Sequence, residues 1–153
     1  MVKKLLIVVI SIHHDNTVKI AKAMAKVFKT EIRKPNDVKP DEIKEYDLVG
    51  FGSGIYGAKH HESLIKLAEK LPIVSGNKAF LFSTAGITSK KKSVEDHSKL
   101  SNILESKGYE IVGNFQCKGF NTNSFLKYFG GMNKGRPNAD DIQNAEDFVK
   151  NLI

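Results

Sequence analysis

The stretch Lys4-Leu5-Leu6-Ile7-Val8-Val9-Ile10, followed at once by Ser11-Ile12-His13-His14-Asp15-Asn16-Thr17, decides the fold. A strand with one wet face would alternate apolar and polar residues. The unbroken run Leu5 to Ile10 instead predicts a strand buried on both faces. It is too short to span a membrane or to form a secretory signal core, and no small-residue cleavage site follows. The polar loop then opens a helix, capped by Asn16 or Thr17 and running to about Phe28. Ile20, Met24, Val27 and Phe28 form its apolar stripe. A doubly buried strand leading into an amphipathic helix is the first unit of a parallel sheet covered on both sides.

The same unit recurs outward from this stretch. Glu31 to Lys34 reads as a weak edge strand, and Pro35 to Pro40 as a turn region followed by a short helix. Asp47 to Ser53 is a second buried strand. Leu64, Leu67, Ala68 and Leu71 mark a helix that Pro72 stops. Ala79 to Thr84 is a third buried strand, and Leu100, Ile103 and Leu104 lie on a helix that Gly108 can end. Glu110 to Cys117 has the mixed polarity of an edge. Lys118 to Pro137 is a long loop. Asn138 caps the last helix, with Asp140 and Asp141 in the first turn, where the helix dipole favours negative charge. Ile142, Ala145, Phe148, Val149 and Leu152 form its stripe. No repeat or boundary interrupts the pattern, so residues 1–153 are expected to form a single α/β domain around a doubly wound parallel sheet.

Composition narrows the function classes. The chain has 153 residues and a formal net charge of +7. That charge permits acidic partners, anionic ligands or nucleic acid, although lysines spread along helices also suit a solvated surface. Nucleic-acid binding is set aside, because no aromatic stacking platform exists beyond Tyr56. Cys117 is the single cysteine, so an internal disulfide and a cysteine-based metal site are excluded, and a buried inert thiol is expected. No membrane association is expected, and a cytoplasmic location fits. His13-His14, His60-His61 and Asp15 show no ligand spacing such as H-x-x-x-H, so no metal is assigned.

In doubly wound sheets ligands bind beyond the carboxyl ends of the strands, where strand order reverses. Three loops there have unusual composition. Ser11 to Thr17 runs into a helix N-terminus, whose free N–H groups suit a phosphate. Ser53-Gly54-Ile55-Tyr56-Gly57 combines glycines that admit close backbone approach with one aromatic to stack on a flat ligand. Ser83-Thr84-Ala85-Gly86 is built of small residues and hydroxyls that can offer N–H groups to the edge of a ring. Gly52, Gly54 and Gly57 match G-x-G-x-x-G. A dinucleotide fingerprint belongs after the first strand, however, and no acidic residue closes the next strand.

Together these loops resemble the flavodoxin family over essentially the whole chain. The resemblance implies a five-stranded sheet in the order 2-1-3-4-5 and FMN as cofactor. Asn16-Thr17 matches the end of the family's phosphate loop and Ser11 its beginning, with His13, His14 and Asp15 between. Tyr56-Gly57 is similar to the aromatic–glycine pair of the second flavin loop, in which the aromatic covers a ring face and the glycine carbonyl turns toward flavin N5. Ser53, Gly54 and Ile55 lead into that pair. Ser83, Thr84, Ala85 and Gly86 lie where the family's third loop reads the pyrimidine edge.

Two departures stand out. Asp15 replaces a glycine of the phosphate loop, which tolerates the left-handed backbone but sets a carboxylate near a phosphate. Lys59, His60, His61, Lys90-Lys91-Lys92, Lys118, Lys127, Lys134 and Arg136 replace the acidic surface of flavodoxins. The resemblance implies an electron carrier with no side-chain acid or base, and the basic residues predict an acidic redox partner such as an iron–sulfur protein. The alternatives are an FMN-dependent reductase of small molecules, or a domain of this fold without tightly bound FMN. The long loop reads either as a lid or as packed surface.

Overall fold

The computed structural model describes residues 4–12, 15–120, 131 and 133–152. The elements follow in the order β1 (Leu5–Ile10), α1 (Asn16–Phe28), β2 (Ile32–Arg33), α2 (Pro40–Ile43), β3 (Leu48–Gly54), α3 (Glu62–Glu69), β4 (Lys78–Ala85), α4 (Lys90–Ser106), β5 (Glu110–Lys118) and α5 (Ala139–Lys150). The sheet order is β2-β1-β3-β4-β5, and every neighbouring pair is parallel. Order reverses between β1 and β3, which opens a crevice at their carboxyl ends.

Strand alternation divides the interior into two layers. Leu6, Val8, Val49, Phe51, Ala79 and Leu81 meet Leu64, Ile65 and Ala68 of α3 and Leu100 and Leu104 of α4. Ile7, Val9, Phe80 and Phe82 meet Ile20 and Met24 of α1 and Ala145 and Val149 of α5. On this second face a Cβ at Gly50 would lie 2.3 Å from the Phe80 ring, and one at Gly52 would lie 2.1 Å from the Phe82 ring. The two glycines thus make room for two phenylalanines of the adjacent strand.

Local chemistry sets the helix ends. Asn138 accepts from the Asp141 N–H, while the Asp141 carboxylate accepts from the Asn138 N–H, a capping box at the start of α5. Ser89 accepts from the Lys92 N–H at the start of α4. At α1 the expectation needs correction: Asn16 is the first helical residue, and Asp15 holds the cap position in a left-handed conformation (φ 52°) with no side-chain cap bond. β2 is shorter than expected, covering only Ile32–Arg33, because the polar and proline residues around it offer little to a ladder. The turn region after it contains a 3-10 turn at Pro35–Asp37.

Candidate functional site at the carboxyl ends of the strands

Ser11, Asn16, Thr17, Gly54, Ile55, Tyr56, Thr84, Ala85, Gly86, Gly119 and Phe120 line one cavity beyond β1, β3 and β4. At its floor the hydroxyls of Thr17 and Thr84 lie 2.8 Å apart, fully buried and 67 residues apart in sequence. One hydroxyl donates to the other, so the pair retains one O–H for a further acceptor. Asn16 is 7% exposed. Its amide Nδ2 donates to the Phe120 carbonyl at 2.8 Å, while its Oδ1 is buried with no partner among the described residues. The first turn of α1 has no acidic residue and no side-chain cap bond. Its leading N–H groups are therefore free of intrahelical partners and carry the positive end of the helix dipole.

The second loop is a tight hairpin. Ile55 and His60 form an antiparallel bridge, the Tyr56 N–H donates to the Lys59 carbonyl at 2.8 Å, and Gly57 and Ala58 both have positive φ (58° and 60°). Those are the marks of a two-residue turn of the primed type. The phenol end of Tyr56 lies against Gly54, and its ring meets His61 edge-on, with centroids 5.4 Å apart. Burial raises the Tyr56 pKa, opposed by the backbone of Ile12 facing the phenol oxygen. The aromatic thus spans from the second loop toward the first.

The remaining expected residues sit elsewhere. Ser53 and Ser83 are fully buried beneath the cavity rather than in its wall. Ser53 shares a face with Val49 and Phe51, and Ser83 with Ala79 and Leu81, and both lie short of the strand ends, Gly54 and Ala85, that line the cavity. Gly57 is at the exposed hairpin tip and Asp15 is exposed. His13 and His14 lie outside the described residues. Gly119 and Phe120, which do line the cavity, were not anticipated; the unusual length of the loop after β5 was their one signal.

Ser83 belongs to a polar network between β4, β5 and α4. Its hydroxyl is 2.7 Å from His97 Nε2 and accepts from Gln116 Nε2 at 3.0 Å. His97 Nδ1 is 2.8 Å from Asn114 Oδ1. These partners suit a neutral imidazole with its proton on Nδ1, because Ser83 then donates to Nε2. The buried Asp96 carboxylate accepts from Gln116 at 2.9 Å and pairs with Lys92. His60, packed on His97 with ring centroids 4.7 Å apart, donates from Nε2 to the Phe82 carbonyl at 3.1 Å. Burial, and next the neighbouring His97, push the His60 pKa down to about 3; burial also lowers that of His97. Both rings are therefore held neutral in the interior.

Among the described residues no group of three or more His, Cys, Asp or Glu side chains could hold a metal. Burial pushes the Cys117 thiol up to about 12, which keeps it from acting as a nucleophile. No described helix is long and apolar enough to cross a membrane. Several basic groups near the site are already paired: Lys59 with Glu62 at 3.5 Å, Lys92 with Asp96, and Arg136 with both carboxylate oxygens of Asp141 at 2.6 and 2.7 Å. Lys90, Lys91, Lys118 and Lys134 form no ion pair among the described residues; Lys127 lies outside them.

A five-stranded doubly wound sheet with its cavity at the switch point defines the flavodoxin-like class of α/β proteins. The sequence profile of a flavodoxin domain matches residues 7–122, and the chain belongs to that family. An uncharacterized protein of Methanocaldococcus jannaschii is 48% identical over 150 residues, covering 98% of each chain. Flavodoxin 2 of Bacillus cereus superposes with a TM-score of 0.70 at 17% identity, over 97% of this chain and 96% of that one. A flavodoxin of Fusobacterium nucleatum bound to flavin mononucleotide superposes with a TM-score of 0.67 at 14% identity, over 98% and 97% of the two chains. At such identities these structures share the fold.

Proposed function

We propose that the cavity holds FMN and that the protein carries electrons between redox partners. The observation that supports this most is the convergence of three different groups on one crevice: the uncapped N-terminus of α1, the aromatic Tyr56, and the small third loop Thr84-Ala85-Gly86. The donor set suits the parts of the cofactor. The free N–H groups of α1 and the Ser11 hydroxyl match a phosphate. The Asn16 Oδ1, buried with no partner among the described residues, matches a hydroxyl-bearing chain such as ribityl, since a buried acceptor without a donor is costly. Backbone along Thr84 to Gly86 matches the carbonyl-rich edge of the ring, and Tyr56 supplies a stacking face.

FMN, when bound, supplies reversible one- and two-electron transfer. The chain's own part is to hold, orient and shield. Asp15 adopts the left-handed backbone that the turn into α1 requires, with its side chain in solvent. The Thr17–Thr84 bond ties the phosphate end of the site to the ring end. Among the described residues no imidazole or carboxylate lines the cavity, which suits a carrier better than a reductase that moves protons through side chains.

Titration of the FMN-free protein into FMN tests the reading. The expected result is quenching of flavin fluorescence that saturates at one FMN per chain. A colourless protein that leaves FMN fluorescence unchanged would establish the alternative, a domain of this fold without tightly held FMN.

A further inference from the structure

We propose that Asn133, in the segment after β5, is a positioning residue that aims the backbone N–H groups of the third loop into the cavity. The inference rests on the FMN reading for its ligand, but its geometry stands apart from it. The Gly119 N–H donates to the Ala85 carbonyl at 3.0 Å. The Asn133 side-chain amide donates to the Gly86 carbonyl at 2.7 Å and reaches the Gly119 carbonyl at 3.4 Å. Gly119 and Asn133 therefore hold two successive carbonyls of the third loop. In a trans peptide the C=O and the following N–H point in opposite directions. Turning the Ala85 and Gly86 carbonyls toward the β5 side turns the Gly86 and Ile87 N–H groups the other way, toward the β3 side, where Gly54, Ile55 and Tyr56 line the cavity.

Asn133 is itself held in place. It has a left-handed backbone (φ 58°), a conformation that asparagine tolerates better than most residues. Its carbonyl accepts from the Arg136 N–H, closing a turn, and the Arg136 carbonyl accepts from the Phe120 N–H at 2.9 Å. Arg136 is fixed to α5 through its two-point bond to Asp141. At the other end of the cavity Asn16 donates to the Phe120 carbonyl. Gly119 lies so close to Asn16 that a Cβ there would come within 2.7 Å of its amide nitrogen. Gly119, Phe120, Asn133 and Arg136 thus brace the site from its phosphate end to its ring end, anchored on a helix. Its chemical consequence is a paired N–H donor set, which selects a ligand edge bearing acceptors.

Asn133→Gly removes the amide yet keeps a residue suited to the left-handed backbone; Asn133→Asp keeps the shape but faces the carbonyls with an acceptor. The first measurement uses the FMN-free protein: N–H residual dipolar couplings of Gly86 and Ile87, which report the direction of each bond. In both variants the Ile87 coupling should change while those of β1, β3 and β4 stay as in the parent. Couplings identical to the parent's would overturn the proposal whether or not FMN binds. The second compares FMN with its 2-thio and 4-thio analogues, whose ring-edge sulfur is a weak acceptor. The parent should prefer FMN, and Asn133→Gly should weaken FMN about tenfold while reducing that preference, with a thermal midpoint lowered by only about 2–4 °C. Equal weakening of FMN and both analogues would assign Asn133 a merely structural part and also refute the proposal. A parent that binds none of the three would defeat the FMN reading, leaving the dipolar couplings to decide the role of Asn133.

Discussion

Asp15 occupies the cap position of α1 with φ 52° and ψ 29° and makes no cap bond. A left-handed non-glycine residue costs roughly 1–2 kcal/mol, and no side-chain cap bond among the described residues offsets it. The carboxylate also stands at the mouth of a helix N-terminus proposed to hold phosphate. Asp15→Gly removes both penalties, while adding chain entropy to the unfolded state. A charge at a partly exposed site a few ångströms from another is worth on the order of 1 kcal/mol. FMN should therefore bind a few-fold to tenfold more tightly to the variant, with stability within about 1 kcal/mol of the parent. Fluorescence titration and urea unfolding measure the two quantities. Weaker FMN binding would show that the carboxylate has a positive role in the site.

At the scale of elements, β4, β5 and α4 are joined by buried polar groups as well as by apolar packing. His60 and His97 are buried as neutral rings, and the pKa of His60 is pushed down to about 3. The sign of the linkage follows from this direction. In the unfolded chain a histidine takes its proton near pH 6.5, whereas folded His60 stays neutral to about pH 3. Between those values the unfolded state binds more protons, so stability is full above about pH 6.5 and falls as pH falls. One such histidine should cost about 2 kcal/mol at pH 5. His60→Gln keeps a side-chain N–H for the Phe82 carbonyl but cannot titrate. Urea unfolding at pH 7.5 and pH 5 should therefore show a smaller loss in the variant than in the parent. Equal losses would locate the acid sensitivity elsewhere, first in His97.

Over the whole molecule, the net charge of +7 combines with a site whose nearby cations are only partly neutralised. Lys59, Lys92 and Arg136 have carboxylate partners, so their fields are largely cancelled at a distance. Lys90 and Lys91, exposed in the first turn of α4, are not offset in this way. They are the lysines expected to steer an acidic iron–sulfur partner toward the third loop. The rate of electron transfer to such a protein, followed by stopped flow, should fall on the order of tenfold as salt shortens the Debye length from about 30 to about 8 Å. Charge reversal at Lys90 and Lys91 should remove much of that dependence. A rate indifferent to ionic strength would refute the acidic partner.

What the sequence by itself determined were the features that arise within a few residues of one another. The run Leu5 to Ile10, the stripes of α1, α3 and α5, and the Asn138 cap needed only strand and helix periodicity and local hydrogen bonding. Alternating units implied a covered parallel sheet, and its switch point directed attention to the three loops that hold most of the cavity wall. Only the tertiary structure decided what depends on distant segments meeting. Thr17 finds Thr84, Asn16 finds Phe120, and Asn133 finds Gly86 because register and crossover bring five strand ends to one edge. No local propensity encodes such pairings. For the same reason the basic residues could be counted in the sequence but not sorted. Whether a lysine steers a partner or neutralises a buried aspartate depends on what the fold sets beside it.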